Sequence, residues 1–387
     1  KKLVPTYSEI GAVLAGVPFD DHLVWLATEL RAALRTMEAH TTRPVVVYEG
    51  NHRIPAASLR AGMAEKDLEF FMDVLRGIGG GELDLILNSY GGSPDAADMI
   101  GSYLRQKFTS IRVFVPVEAM SAATMLACGA NTIVMGRHSF LGPIDLQMPF
   151  ATPDGTRVCA AQDVLDQYEL MRTDFPGQLQ SFWEGPGTRY WPETLVRCTN
   201  ALTYGKEVAE RGLLEVMFHG QPEAEEKARN IAADLADHQK HRAHGRRLSR
   251  TYLSELGMEI AHLEADDHLQ DLVLTIHHLC SHWFENFQAM AKTVQSSRGR
   301  VTFDLDESLI GPNPPEKLRI QIHSLLSQLS AATGYENDDE DGSAEDGDAE
   351  DGSAEDGDAE DGDAEDGSAE DGNPEDGNPE DGNPEDG

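Results

Sequence analysis

The sequence predicts a layered α/β fold, and three observations carry that expectation. Short apolar runs alternate with stretches of helical periodicity, a double glycine ends one such run, and a serine among small residues follows the next. Within residues 10–37, Leu23, Leu26, Leu30 and Leu34 fall at helical spacing. Pro44 then opens Val45-Val46-Val47-Tyr48, a β-branched run that reads as a strand. Residues 51–62 read as a loop or short helix. From Ala64 a helix is expected, because Leu68, Phe71, Met72, Leu75 and Ile78 share one face, and Gly79-Gly80-Gly81 stops it. Residues 83–87 are apolar enough for a strand covered on both faces. Asn88-Ser89-Tyr90-Gly91-Gly92-Ser93-Pro94 follows as a turn into a helix over 95–107. A third strand is expected over 111–117, a helix over 121–130 and a fourth strand over 132–135. Reactive groups in such folds gather beyond the carboxyl ends of the strands, where Gly91-Gly92 and Ser121 both stand.

Ser121 admits two readings. A serine at the first turn of a helix is a common N-cap, and Ala122 and Ala123 permit tight packing. The same position suits a nucleophile, since free backbone N–H groups at a helix start can hold an oxyanion and small neighbours admit a substrate backbone. Adjacent glycines also leave N–H groups facing outward.

Further along, helices are expected over 160–174, over 193–212 with a turn near Leu202-Thr203, and over 224–250. Residues 175–192 read as a loop over a cleft. Residues 252–292 hold a helical, histidine-rich stretch, 301–305 a short strand, and 316–332 a closing helix. From Glu340 the chain repeats Glu-Asp-Gly ten times at five-residue spacing, with no aromatic or β-branched residue. Such a tail buries no core, so the expectation is a disordered, self-repelling segment, either solubilising or recruiting a basic partner. Of the net charge of −37, −26 falls from Glu336 onward and −11 on everything before it. That mildly acidic body offers no basic face for nucleic acid. Cys128, Cys159, Cys198 and Cys280 are widely spaced, which suits reduced thiols in a cytoplasmic setting. No apolar run reaches membrane-spanning length. The sequence begins at Lys1-Lys2, so a segment removed from the N-terminus remains open.

The residues resemble a known family. Asn88-Ser89-Tyr90-Gly91-Gly92-Ser93 followed by Ala119-Met120-Ser121-Ala122-Ala123-Thr124 is similar to the paired active-site segments of the ClpP/crotonase superfamily. The runs Val115-Pro116 to Thr124, Ile133-Val134-Met135 and Leu141-Gly142-Pro143-Ile144-Asp145-Leu146-Gln147 resemble its serine dehydrogenase proteinase (SDH proteinase) branch. The resemblance implies a ClpP/crotonase-like domain over 44–220, between a helical segment over 1–43 and a helical extension over 221–335, with the acidic tail over 336–387. It implies an ATP-independent serine endopeptidase acting on polypeptides as a homo-oligomer, with no cofactor and no metal. Ser121 would be the nucleophile, and the N–H groups of Gly91 or Gly92 and of Ala122 the oxyanion hole. The ClpP triad itself is not carried over: its histidine position falls at Ile144 and its acid near Thr199.

The base therefore stays open. Asp145 is placed to be a base or an orienting acid, His138 is near in sequence, and a distal histidine could swing over the serine. No lysine lies between Lys107 and Lys206, which argues against a Ser-Lys dyad. His278 and His282 share a helix face, but no third metal ligand accompanies them. A non-catalytic scaffold using its acidic tail for recruitment is the alternative of another class. Acyl-CoA chemistry of the crotonase type is a third reading.

Overall fold

The structure, a computed structural model, describes residues 6–52, 58–152, 155–184, 193–287, 290–298 and 301–305. The chain divides into two units, residues 1–335 and 336–387. The closing helix expected over 316–332 and the acidic repeat lie outside the described residues.

The strands, in chain order, are β1 Val45–Gly50, β2 Glu82–Asn88, β3 Ser110–Val115, β4 Glu118–Ala119, β5 Thr132–Met135, β6 Phe140–Leu141, β7 Gln147–Thr152, β8 Gly155–Ala160, β9 Leu248–Ser249, β10 Ile260–His262, β11 Met290–Ser296 and β12 Val301–Leu305. Seven of them form the main sheet, ordered β10-β5-β3-β2-β1-β11-β12. The first five run parallel, with Val47 opposite Ile86, Leu85 opposite Val113 and Phe114 opposite Val134. β11 and β12 add antiparallel pairs at the β1 edge.

Alternation of side chains sends each strand's residues to two cores. Val46, Tyr48, Leu85, Leu87, Val113, Val115 and Ile133 belong to one core, with residues from helices Asp67–Val74, Pro94–Lys107, Ala122–Cys128 and Ala224–Ala236. Val45, Val47, Ile86, Phe114 and Val134 belong to the other, with residues from helices His22–Thr41 and Asp267–Asn286. The leucine stripe of the first of these, Leu23, Leu26, Leu30 and Leu34, is buried. Each buried leucine contributes roughly 1.5–3 kcal/mol, enough to hold that helix on the sheet. Helices His22–Thr41 and Asp267–Asn286, far apart in the chain, thus supply the second face of the same sheet.

The structure departs from the sequence reading in several places. The helix expected over 224–250 ends at Ala236, because the Asp237 side chain accepts from the Lys240 N–H and starts a separate turn, His238–His241. Arg242 then adopts a left-handed φ of 61°, and the chain turns into β9. Conversely, Thr194–Gly212 is one unbroken helix, in which the Thr203 hydroxyl donates to the Thr199 carbonyl. Part of the expected loop over 175–192 is helical, over Pro176–Gln178 and Leu179–Glu184. The β7–β8 hairpin pairs Thr152 with Gly155, and the Asp-Gly at 154–155 is a hairpin signal the pattern reading passed over.

Candidate active site

A second, three-stranded sheet assembles the site. β4 runs parallel to β6, with Ala119 opposite Leu141, and β6 runs antiparallel to β9, with Leu141 opposite Leu248. The chain leaves β4 and β6 at the same end of this sheet at which it enters β9. Ser121 follows β4 by two residues, Asp145 follows β6 by four, and His244 precedes β9 by four. Three segments remote in sequence therefore emerge together.

Ser121 occupies a sharp strand-to-helix turn, at φ 53° and ψ −119°, ahead of helix Ala122–Cys128. A positive φ in a residue with a Cβ costs on the order of 1–3 kcal/mol and persists only where surroundings enforce it. Here the Met120 N–H donates to the Ser89 carbonyl (2.8 Å), and the Ala123 N–H to the Met120 carbonyl (2.9 Å). The Thr124 hydroxyl lies 2.7 Å from the Ala119 carbonyl and accepts from the Gly142 N–H at 3.0 Å, tying the serine turn to the loop that carries Asp145. Ser121 is 6% exposed, and its Oγ makes no hydrogen bond among the described residues.

The glycine turn packs directly on the serine. A Cβ on Gly91 (φ 95°) would stand 2.5 Å from the Met120 oxygen and 2.8 Å from the Ser121 Cβ. One on Gly92 (φ 149°) would meet the Met63 nitrogen and oxygen at 2.4 and 2.3 Å. Met63 forms a rail beside this turn: its N–H donates to the Gly91 carbonyl (2.7 Å), and its carbonyl accepts from the Ser93 N–H (2.8 Å). The Gly91 N–H is engaged with the Ser89 hydroxyl at 3.1 Å. Among the described residues the N–H groups of Gly92 and Ala122 donate to nothing. Of the two glycines offered by the sequence, Gly92 is the one with a donor to spare.

Asp145 is buried and faces histidines rather than the serine. His238 Nδ1 stands 2.8 Å from its Oδ2, and His244 Nδ1 stands 2.8 Å from its Oδ1. Burial pushes the Asp145 carboxyl up, but the hydrogen bonds and charge of His244 and then His238 outweigh it and hold it below the usual carboxylate range. A carboxylate so held is a weak proton acceptor, which removes the physical ground for Asp145 as base and leaves the orienting part. A carboxylate only accepts, so each facing Nδ1 carries the proton. His244 Nε2 has no partner among the described residues, whereas His238 Nε2 stands 2.9 Å from Asp163 Oδ1. His138 sits exposed in the turn after β5, with its ring against Gly136 and no hydrogen bond to Ser121 or Asp145. His244 falls within the stretch 224–250 that reads as one helix, where the sequence does not set it apart from His238 and His241.

Burial lowers the His238 pKa, but Asp145 and Asp163 outweigh it and the net shift is upward. Its folded value then exceeds the unfolded value of about 6.5, so it contributes stability fully present below that pH and lost as pH rises through the folded pKa. The thermal midpoints of wild type and His238→Gln should therefore lie furthest apart below about pH 6.5 and converge at higher pH. A gap that widens as pH rises would contradict this account.

The remaining histidines of the sequence reading have packing partners. His282 stacks on Tyr7 with ring centroids 4.0 Å apart and reaches the Tyr7 carbonyl through Nε2 at 2.9 Å. Among the described residues no group of three or more histidine, cysteine or acidic side chains is arranged to hold a metal ion. Nor is any described helix long and apolar enough to cross a membrane.

The parallel-rich sheet, the helices on both its faces and the apposed glycine and serine turns define a ClpP-like α/β protein. Residues 68–167 match the family described as ClpP-like SDH-type serine proteinase, the type to which the motifs point. The matched stretch contains Gly91, Gly92, Ser121 and Asp145 and stops short of His244. The family supports a serine peptidase function in general. One uncharacterized protein of Methanocaldococcus jannaschii is 27% identical over 161 residues, covering 40% of this chain and 53% of that protein. A second from the same organism is 32% identical over 66 residues, covering 17% and 23%. The chain thus spans about half the length of the first relative and about a quarter of the second. No solved structure matches.

Proposed function

We propose that this chain is an ATP-independent serine endopeptidase whose reacting groups are Ser121, His244 and Asp145. The observation that carries the proposal is the Asp145–His244 pair, with an unengaged Nε2, at the same end of the small sheet as the Ser121 turn. In this reading Ser121 Oγ attacks the scissile carbonyl while His244 Nε2 takes its proton. Asp145 fixes the tautomer through the Nδ1 proton and steadies the imidazolium. The N–H groups of Gly92 and Ala122 receive the oxyanion. The proton on Nε2 then passes to the departing amine, and water repeats the sequence on the ester. No hydrogen bond joins Ser121 and His244, and catalytic contacts of this kind often tighten only with substrate.

Four free cysteines support a reducing, cytoplasmic setting. Exposed Val158, Leu170, Phe175 and Val196 on neighbouring elements support a homo-oligomer. A fluorophosphonate probe should label wild type and not Ser121→Ala, and casein cleavage should disappear with the labelling. A folded, oligomeric wild type that neither labels nor cleaves would make the chain a non-catalytic scaffold instead.

A further inference from the structure

Beyond the carboxyl ends of β1, β2 and β3 lies a cavity of about 170 Å³, lined among others by Glu49, His52, Asn88, Tyr90, Glu118 and His277. It begins where the site does: Asn88 and Tyr90 precede Gly91-Gly92, and Glu118 precedes the Ser121 turn. Its chemistry is one-sided. Glu49 is 1% exposed and Glu118 7%, so two carboxylates are buried in the wall. Some of the polar groups near them are engaged. Asn88 Nδ2 donates to Glu49 at 2.9 Å and His277 Nδ1 faces Glu49 at 2.8 Å, while burial and then the nearby Glu118 raise the Tyr90 pKa. Arg247, whose side chain is half exposed at the rim, pairs with Glu118 at 3.0 Å.

His277 Nε2 has no partner among the described residues. His52 Nε2 is likewise buried and unpartnered. Burial, outweighing a hydrogen bond with the Asn88 backbone, drives the His52 pKa down to about 4, so its ring is uncharged at neutral pH. Tyr90, stacked on His52 with centroids 3.8 Å apart, and Phe284 give the cavity aromatic walls. A space walled by aromatic rings and bordered by two buried carboxylates fits a cationic donor on an apolar stem.

We propose that this cavity is a subsite for the side chain of a lysine or arginine in the polypeptide substrate. The word substrate rests on the serine peptidase reading; the binding chemistry does not. The test uses the full chain carrying Ser121→Ala, so that binding is read without turnover, and titrates it with Nα-acetyl-lysine amide and Nα-acetyl-norleucine amide. The lysine compound should bind at least tenfold more tightly, and Glu49→Gln, checked for folding by its melting curve, should erase that difference. Equal affinities for the two compounds overturn the proposal, and this comparison needs no cavity variant to fold. Norleucine amide with a free α-amino group, binding as tightly as the acetylated lysine compound, would overturn it in favour of a site for the peptide's terminal amine. Fluorophosphonate labelling of wild type judges the nucleophile separately, so the two readings can fail independently.

Discussion

His244→Ala lowers peptide hydrolysis by on the order of 10⁴-fold or more, as expected when a serine loses its general base. Fluorophosphonate labelling slows with it, because attack on phosphorus needs the same proton transfer. The comparison that gives the result meaning is His238→Ala. Both imidazoles contact Asp145 at 2.8 Å, but the second nitrogen of His238 is occupied by Asp163 and that of His244 is not. Loss of His238 should therefore cost within about tenfold, through a less firmly held Asp145. Equal losses from the two substitutions would remove the assignment of His244 as base, and a greater loss from His238→Ala would reverse the roles. The readout is kcat/KM on a fluorogenic peptide.

Lys292→Met destabilises the fold by about 3–5 kcal/mol, the usual consequence of leaving one charge of a buried pair alone. Lys292 is 1% exposed and Asp67 0%. Lys292 Nζ donates to Asp67 at 2.9 Å and to the Gly62 carbonyl at 2.7 Å. Asp67 also accepts from the Tyr48 hydroxyl and the Ala64 N–H. Adding Asp67→Asn removes the stranded charge and keeps an acceptor for Tyr48, so the double variant should recover part of the loss. Urea unfolding checks both, and a loss below about 1 kcal/mol for the single variant would show the pair to be dispensable. The network grips Gly62 and Ala64, on either side of the Met63 rail, so the destabilised variant should also lose activity disproportionately.

Four of the five parallel strands were legible because they are largely apolar runs, as at 45–48, 83–87 and 132–135, whereas β10 lies within a stretch that reads as helical. The two turns were legible for a similar reason: Gly91, Gly92 and Ser121 answer to local backbone demands that a sequence displays. β11 was not, since Lys292, Thr293 and Gln295 break any apolar pattern and are nevertheless buried. Its burial depends on Asp67, a partner far away in the chain. His244 was hidden in the same way. Nothing in residues 237–247 sets His244 apart, and its partnership with Asp145 exists only after β9 pairs with β6.

The three-stranded sheet also orders events during synthesis. A ribosome delivers the serine turn first, the Asp145 loop soon after, and the His244 turn about a hundred residues later. Under the proposed mechanism, until β9 arrives the emerging chain would hold Ser121 and Asp145 without His244, and would not yet cut its unfolded neighbours. By the same proposal, competence would come with closure of the small sheet, and the nascent chain would be latent until then.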